Sequence, residues 1–223
     1  MSDDMSKHPE VPHLVLGGAR SGKSRHAEEL LLTFPPPYVY LATAQALDDE
    51  MRQRVDEHQR RRGPRWQTIE APLDLVARLQ GLQGRGLPVL VDCLTLWLTN
   101  LLLQSPAAAT PPGVGVDRLC EMIRAADYPL VLVSNEVGSG IVPENALART
   151  FRDLAGRANQ QAAAACAAVT LVVAGLPLVL KRTKPSGVDE NVKSQNPKVK
   201  CLKSRQLAGS PFGGPVGGSC RGK

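Results

Sequence analysis

Short apolar runs with no polar alternation recur along the chain, at Leu14–Leu16, Tyr38–Ala42, Val89–Val91, Leu130–Val133 and Val169–Val173. Runs this short and this rich in Val and Leu predict strands buried on both faces, which is the habit of a parallel sheet. Between them lie helix-like stretches, Lys23–Leu32, Asp48–Arg61, Leu73–Gln80, Cys93–Leu103, Val116–Ala126 and Glu144–Ala168. The alternation predicts right-handed β-α-β crossovers with helices on both sheet faces. Only the last helix has a sharp start signal, Pro143 followed by Glu144. Gly175 and Pro177 interrupt the apolar run Leu171–Leu180, which predicts a strand, a turn and a short final strand ending at Lys181. Gln104–Gly115, with its prolines and alanines, reads as a mobile loop.

The pattern stops after Leu180, and the last 43 residues hold 7 Gly and 4 Pro with few large apolar groups. Such a segment buries too little surface to offset its ordering entropy, so disorder is predicted for it. The expected organisation is a polar leader at 1–13, one domain at 14–181 and a basic tail at 182–223. Charge divides along the same line. Up to Leu180 there are 17 basic and 19 acidic residues, and after it 10 and 2, so the net +6 of the whole chain is a −2 body with a +8 tail. A mildly acidic body with 4% aromatic residues is a poor nucleic-acid reader. The five cysteines form no C-x-x-C pair, the N-terminus lacks a signal-peptide core, and no apolar run is long enough to span a bilayer. A cytoplasmic protein is expected.

The strongest chemical signal is Gly17-Gly18-Ala19-Arg20-Ser21-Gly22-Lys23-Ser24, a G-x-x-x-x-G-K-S motif after a predicted strand and before a predicted helix. Glycines let backbone N–H groups curl around phosphate oxygens, and the helix N-terminus adds its positive dipole end. Lys23 would reach the β/γ-phosphates and Ser24 would ligate Mg²⁺. Asp92 closes the run Pro88–Val91. An acid at the carboxyl end of a buried strand holds Mg²⁺ in such proteins, although it also serves as a helix N-cap.

His58 shares one predicted helix face with Met51, Val55 and Arg62, at spacings of i, i+4, i+7 and i+11. For a lone histidine among charges the usual explanation is a solvated face or a satisfied structural side chain. Arg62 one turn on opens a further possibility, since a neutral imidazole can attack phosphorus while a guanidinium neutralises the developing charge. His8 and His13, in the leader, and His26, in the loop's helix, have no equivalent setting.

Taken in order, Gly17–His26, Tyr40–Thr43, Asp48–Met51, His58-x-x-x-Arg62, Trp66–Glu70, Val91–Asn100, Ser134–Asn145, Arg152–Asn159 and Val173–Lys181 make a motif set that resembles the bifunctional adenosylcobinamide kinase/adenosylcobinamide-phosphate guanylyltransferase family of cobalamin synthesis. The resemblance covers about Leu14 to Lys181. It implies an α/β P-loop NTPase fold of RecA-like type, a mostly parallel sheet with helices on both faces. It also implies phosphorylation of adenosylcobinamide with ATP or GTP, then transfer of GMP from GTP through a guanylylated histidine to give adenosylcobinamide-GDP and pyrophosphate. By the same resemblance Gly17–Ser24 bind phosphate, Ala42, Thr43 and Ala44 contact the nucleotide, and His58 is the nucleophile. Gln59, Arg60, Arg61 and Arg62 flank it, Glu70 lies near guanine, and Asp92 is the strand-end acid. Family members are homotrimers with sites near subunit boundaries.

The chain departs from the family pattern where Gly63 displaces a proline to Pro64, and nothing in that pattern matches Arg182–Lys223. Two other readings use the same loop. A single-activity small-molecule or nucleotide kinase would leave His58 without a covalent role, and a RecA-like ATP-dependent nucleic-acid-binding module is disfavoured by the acidic body.

Overall fold

The computed structural model describes residues 8–44, 63–104 and 111–183. The predicted helix Asp48–Arg61, and with it His58, lies outside the described residues. Seven strands form one sheet: β1 (His13–Gly17), β2 (Tyr38–Ala42), β3 (Trp66–Glu70), β4 (Val89–Asp92), β5 (Leu130–Asn135), β6 (Ala168–Val173) and β7 (Leu176–Arg182). Their order is β3-β2-β4-β5-β1-β6-β7. All neighbours pair parallel except β6 and β7, which form an antiparallel hairpin. The described helices are α1 (Lys23–Leu31), α2 (Leu75–Gln80), α3 (Leu94–Leu103), α4 (Pro112–Ala125) and α5 (Ala146–Ala165).

The unbroken apolar runs are buried on both sides, as a parallel sheet requires. Side chains alternate along each strand. Leu14, Leu16, Val39, Leu41, Val89 and Val91 face a core built with Leu75 and Leu79 of α2, Trp97 and Leu98 of α3, Leu119 and Ile123 of α4, and Ala155 and Ala162 of α5. Val15, Tyr38, Tyr40, Leu90, Val131 and Val133 face the other way, onto Ala27 and Leu31 of α1. Helices therefore cover both faces.

Three expectations need correcting, and one strand, β3, lies where no element was expected. β1 begins at His13, which is buried in the strand and belongs to no leader. Trp66–Glu70 is a strand at the sheet edge, half-buried and irregular in its alternation, so it carries no continuous apolar run to mark it. Residues 112–115, assigned to a loop, form the first turn of α4, with Pro112 at its first position. A Cβ on Gly115 would come 3.1 Å from Leu101 Cδ1 and 3.4 Å from Trp97 Cη2, so the glycine lets α4 close on α3. The last helix starts at Ala146 behind an Asn145 cap that accepts from Ala148 N at 3.2 Å, and it stops at Ala165. Lys181 terminates it from β7 by donating Nζ to the carbonyls of Ala163, Ala164 and Cys166 at 2.9, 3.2 and 2.6 Å.

Pro177 is tolerated in β7 because that strand is the sheet edge. Among the described residues no helix is long and apolar enough to cross a membrane.

Candidate active site at the carboxyl edge of the sheet

Because β1 to β6 run parallel, their carboxyl ends share one edge, where ligands of open α/β sheets bind. β1 delivers Gly17 to that edge, and the chain turns through residues 18–22 into α1. Arg20 and Gly22 have positive φ, 55° and 94°, and Gly22 is the helix N-cap. The first N–H groups of a helix have no intrahelical partner, and the glycine cap supplies no side-chain acceptor; Lys23 N leans on Ser21 Oγ at 3.4 Å, within the loop itself. A Cβ on Gly18 would meet nothing within 4 Å, whereas one on Gly17 would come 2.7 Å from the Val172 carbonyl. The loop is thus open above and packed tightly below. Lys23 Nζ donates to Gly18 O at 3.1 Å, which lays the ammonium across the loop. Ser24 sits beside it, in the first turn of α1.

The floor of the loop comes from the β6–β7 turn. Gly175 N donates to Ser21 O at 2.8 Å, and a Cβ on Gly22 would come 3.4 Å from Gly175 Cα. Sequence reasoning assigned no role to this turn. Its signal was Ala174-Gly175 between two apolar runs, a hairpin dipeptide whose partner lies 150 residues earlier.

Asp92 ends β4, two strands from β1, with β5 between them. Its Oδ2 accepts from the Tyr40 hydroxyl at 3.2 Å. In register, Glu70, Ala42 and Asp92 form one cross-strand row, so the α-carbons of Glu70 and Asp92 stand about 10 Å apart across β2. On the other side Gly17 is opposite Asn135. Glu136 N donates to Gly17 O at 3.1 Å, and Asn135 Nδ2 donates to Thr95 Oγ1 at 2.8 Å.

Of the expected nucleotide contacts, Gly17–Ser24, Ala42, Ala44, Glu70 and Asp92 all come to this edge. Thr43 does too, but it is fully buried, and its hydroxyl donates to Cys93 O and accepts from Cys93 N, both at 2.8 Å. Its hydroxyl is therefore committed to holding β2 against β4 and is not offered to a ligand. His58, Gln59, Arg60, Arg61 and Arg62 lie outside the described residues. The Cys93 thiol beside Asp92 is pushed up from its ordinary pKa by burial first and by the Asp92 charge second, which favours the thiol over the thiolate. Burial lowers the pKa of His26 in α1, against a smaller opposing pull from Glu29.

The donor set fits Mg²⁺. A hydroxyl (Ser24) and a carboxylate (Asp92) are hard oxygen ligands, and two protein ligands suffice for an ion that keeps waters and takes phosphate oxygens. A dedicated protein cage is not what the site offers: no group of three or more His, Cys, Asp or Glu able to hold a metal occurs among the described residues.

Strand, glycine-capped anion loop, lysine and strand-end acid on a parallel sheet define a P-loop NTPase of the α/β class. Within that class the chain belongs to the cobinamide kinase / cobinamide phosphate guanyltransferase family, whose model matches residues 13–180. It is 48% identical over 170 residues to the bifunctional adenosylcobalamin biosynthesis protein CobP of Pseudomonas aeruginosa, covering 75% of this chain and 96% of that one. It is 42% identical over 179 residues to the bifunctional adenosylcobalamin biosynthesis protein CobU of Escherichia coli, covering 75% and 98%, and the CobU of Salmonella typhimurium matches to the same extent. The protein is a transferase of cobalamin biosynthesis, as its ordered motifs had implied.

Proposed function

We propose that the chain carries out both transfers at the carboxyl edge, with His58 as the covalent relay of the second. In the first, the aminopropanol hydroxyl of adenosylcobinamide attacks the γ-phosphorus of ATP or GTP and the bond to the β-bridging oxygen breaks. The nucleoside diphosphate leaves. In the second, an imidazole nitrogen of His58 attacks the α-phosphorus of GTP and expels pyrophosphate. A phosphate oxygen of adenosylcobinamide phosphate then displaces His58, giving adenosylcobinamide-GDP and the free enzyme.

The observation that carries this reading is the anion loop itself: a helix N-terminus opening behind a left-handed glycine, with no side-chain cap from that glycine and Lys23 laid across the loop. Lys23 neutralises charge on the phosphates, the loop N–H groups orient them, and Glu70 accepts from the guanine edge. Bound through Ser24 and Asp92, Mg²⁺ would supply charge neutralisation between phosphate oxygens. Arg62, flanked by Gln59, Arg60 and Arg61, would balance the charge that develops when His58 is guanylylated. We further read the enzyme as a cytoplasmic homotrimer.

Incubation with GTP labelled in the α-phosphate tests the relay. The wild-type protein should retain an acid-labile, base-stable adduct, and His58→Ala should retain none and form no adenosylcobinamide-GDP. Phosphorylation of adenosylcobinamide with ATP should persist in that variant. Covalent labelling of His58→Ala would place the nucleophile elsewhere. Loss of both activities in a folded variant would make His58 a shaper of the nucleotide site.

A further inference from the structure

Asn100, on α3, reaches the ends of two strands at once. Its Nδ2 donates to the Thr43 carbonyl at 2.8 Å and to the Pro72 carbonyl at 3.0 Å. Two carbonyl acceptors can be served only by the amide NH₂, so the orientation of the side chain is fixed by its partners.

The two acceptors differ in how well they are otherwise held. Thr43 has every polar group engaged: its N donates to Asp92 O at 3.3 Å and its hydroxyl bonds both the N and the O of Cys93. It is a rigid node tying β2 to β4. Pro72 follows β3, which has a ladder on one side only, and proline has no N–H of its own to give. The β2–β3 register ends at Ala42 and Glu70, and one further bond, Ala71 N to Ala42 O at 2.8 Å, precedes Pro72. Asn100 thus carries the position of the node at Thr43 to the far side of Glu70.

We propose that Asn100 is a positioning residue which sets the gap between the Ala42–Ala44 backbone and Glu70, and thereby the preference for guanine over a purine lacking the 2-amino group. This rests on the reading of Glu70 as the carboxylate facing the base. A carboxylate accepts guanine N1–H and the 2-amino group together, and such a paired contact tolerates little displacement. Inosine triphosphate offers N1–H alone, so its disadvantage against GTP measures how well Glu70 is placed.

The experiment measures KM and kcat for guanylyl transfer with GTP and with inosine triphosphate, on the full chain and on Asn100→Asp and Asn100→Ala. Both variants should raise KM for GTP roughly tenfold while raising that for inosine triphosphate much less, so that the GTP preference shrinks. Trp97→Phe is the control for stability. It removes the indole bond to Leu73 O (3.2 Å) on the same helix but leaves Thr43 and Pro72 untouched, and it should lower the melting temperature with the GTP preference intact. An unchanged preference in both Asn100 variants, an equal loss for the two nucleotides, or the same loss of preference in Trp97→Phe would overturn the proposal. Glu70→Gln separates it from the reading beneath: an intact GTP preference there removes Glu70 from the base, whereas a collapsed one with neutral Asn100 variants sinks the brace alone.

Discussion

Lys23 and His13 show how differently two charged-type side chains can be committed. The Lys23 ammonium donates to the Gly18 carbonyl within its own loop, a single exposed hydrogen bond, so Lys23→Ala should leave the melting temperature almost unchanged. The same substitution should cut both transfers by roughly a hundredfold, because a preorganised charge on the phosphates is lost. Near-normal turnover at saturating nucleotide would remove the loop from phosphoryl transfer. His13 is buried between β1 and β6, bonded to Thr170 Oγ1 through Nε2 at 2.9 Å. Burial lowers its pKa from 6.5 to about 4, helped by the charge of His26 and opposed by the Glu10 backbone. The folded chain therefore refuses a proton that the unfolded chain accepts below pH 6.5, and stability falls as pH drops from there to about 4, then levels off. The loss is on the order of 3 kcal/mol. Melting curves from pH 7 to pH 4 should show a shallower decline for His13→Gln. Nothing in hydropathy separates a histidine flanked by Pro12 from a surface one, so its burial was illegible until β6 was seen to pair beside it.

At the scale of elements, the strands that the sequence predicts are those with an unbroken apolar run, which burial of both faces demands in the centre of the sheet and which the exposed edge strand β7 also carries. β3 escaped because an edge strand needs only one ladder and can stay half-exposed, and Trp-Gln-Thr-Ile-Glu carries too little contrast to show it. The end of α5 was misplaced for a related reason. Ala162 to Ala165 favour helix without limit, and what stops them is Lys181, sixteen residues past the last turn and on another element. The phosphate loop was legible through its glycines and the Ala174–Gly175 turn through Gly175 and Pro177, but not the packing of that turn beneath the loop, which joins residues far apart in the chain. That turn has two successive residues at positive φ, 52° and 81°, the geometry of a type I′ hairpin. Alanine is strained there and asparagine is not, so Ala174→Asn should stabilise by about 1 kcal/mol, read as a rise in melting temperature. Gly17→Ala should do the reverse, since its Cβ would press on the Val172 backbone carbonyl, and nucleotide binding should be lost with it.

On the scale of the whole molecule, one sheet brings together groups that the sequence scatters from Gly17 to Gly175. The final strand runs to Arg182, and Thr183 still bonds Glu10 Oε2 and Ala167 O, each at 3.0 Å, so a truncation that respects the fold falls after Lys184. Such a chain should keep both activities, because the basic segment beyond it has no apolar pattern of its own. Loss of either activity would give that segment a role. The seat of β1 between β5 and β6 has a temporal meaning as well. On the ribosome the phosphate loop emerges before either of its sheet neighbours, β5 and β6, and before its floor at Gly175. A nascent chain arrested before residue 172 should therefore be blind to nucleotide, and the loop becomes a binding site only about 150 residues after its own synthesis.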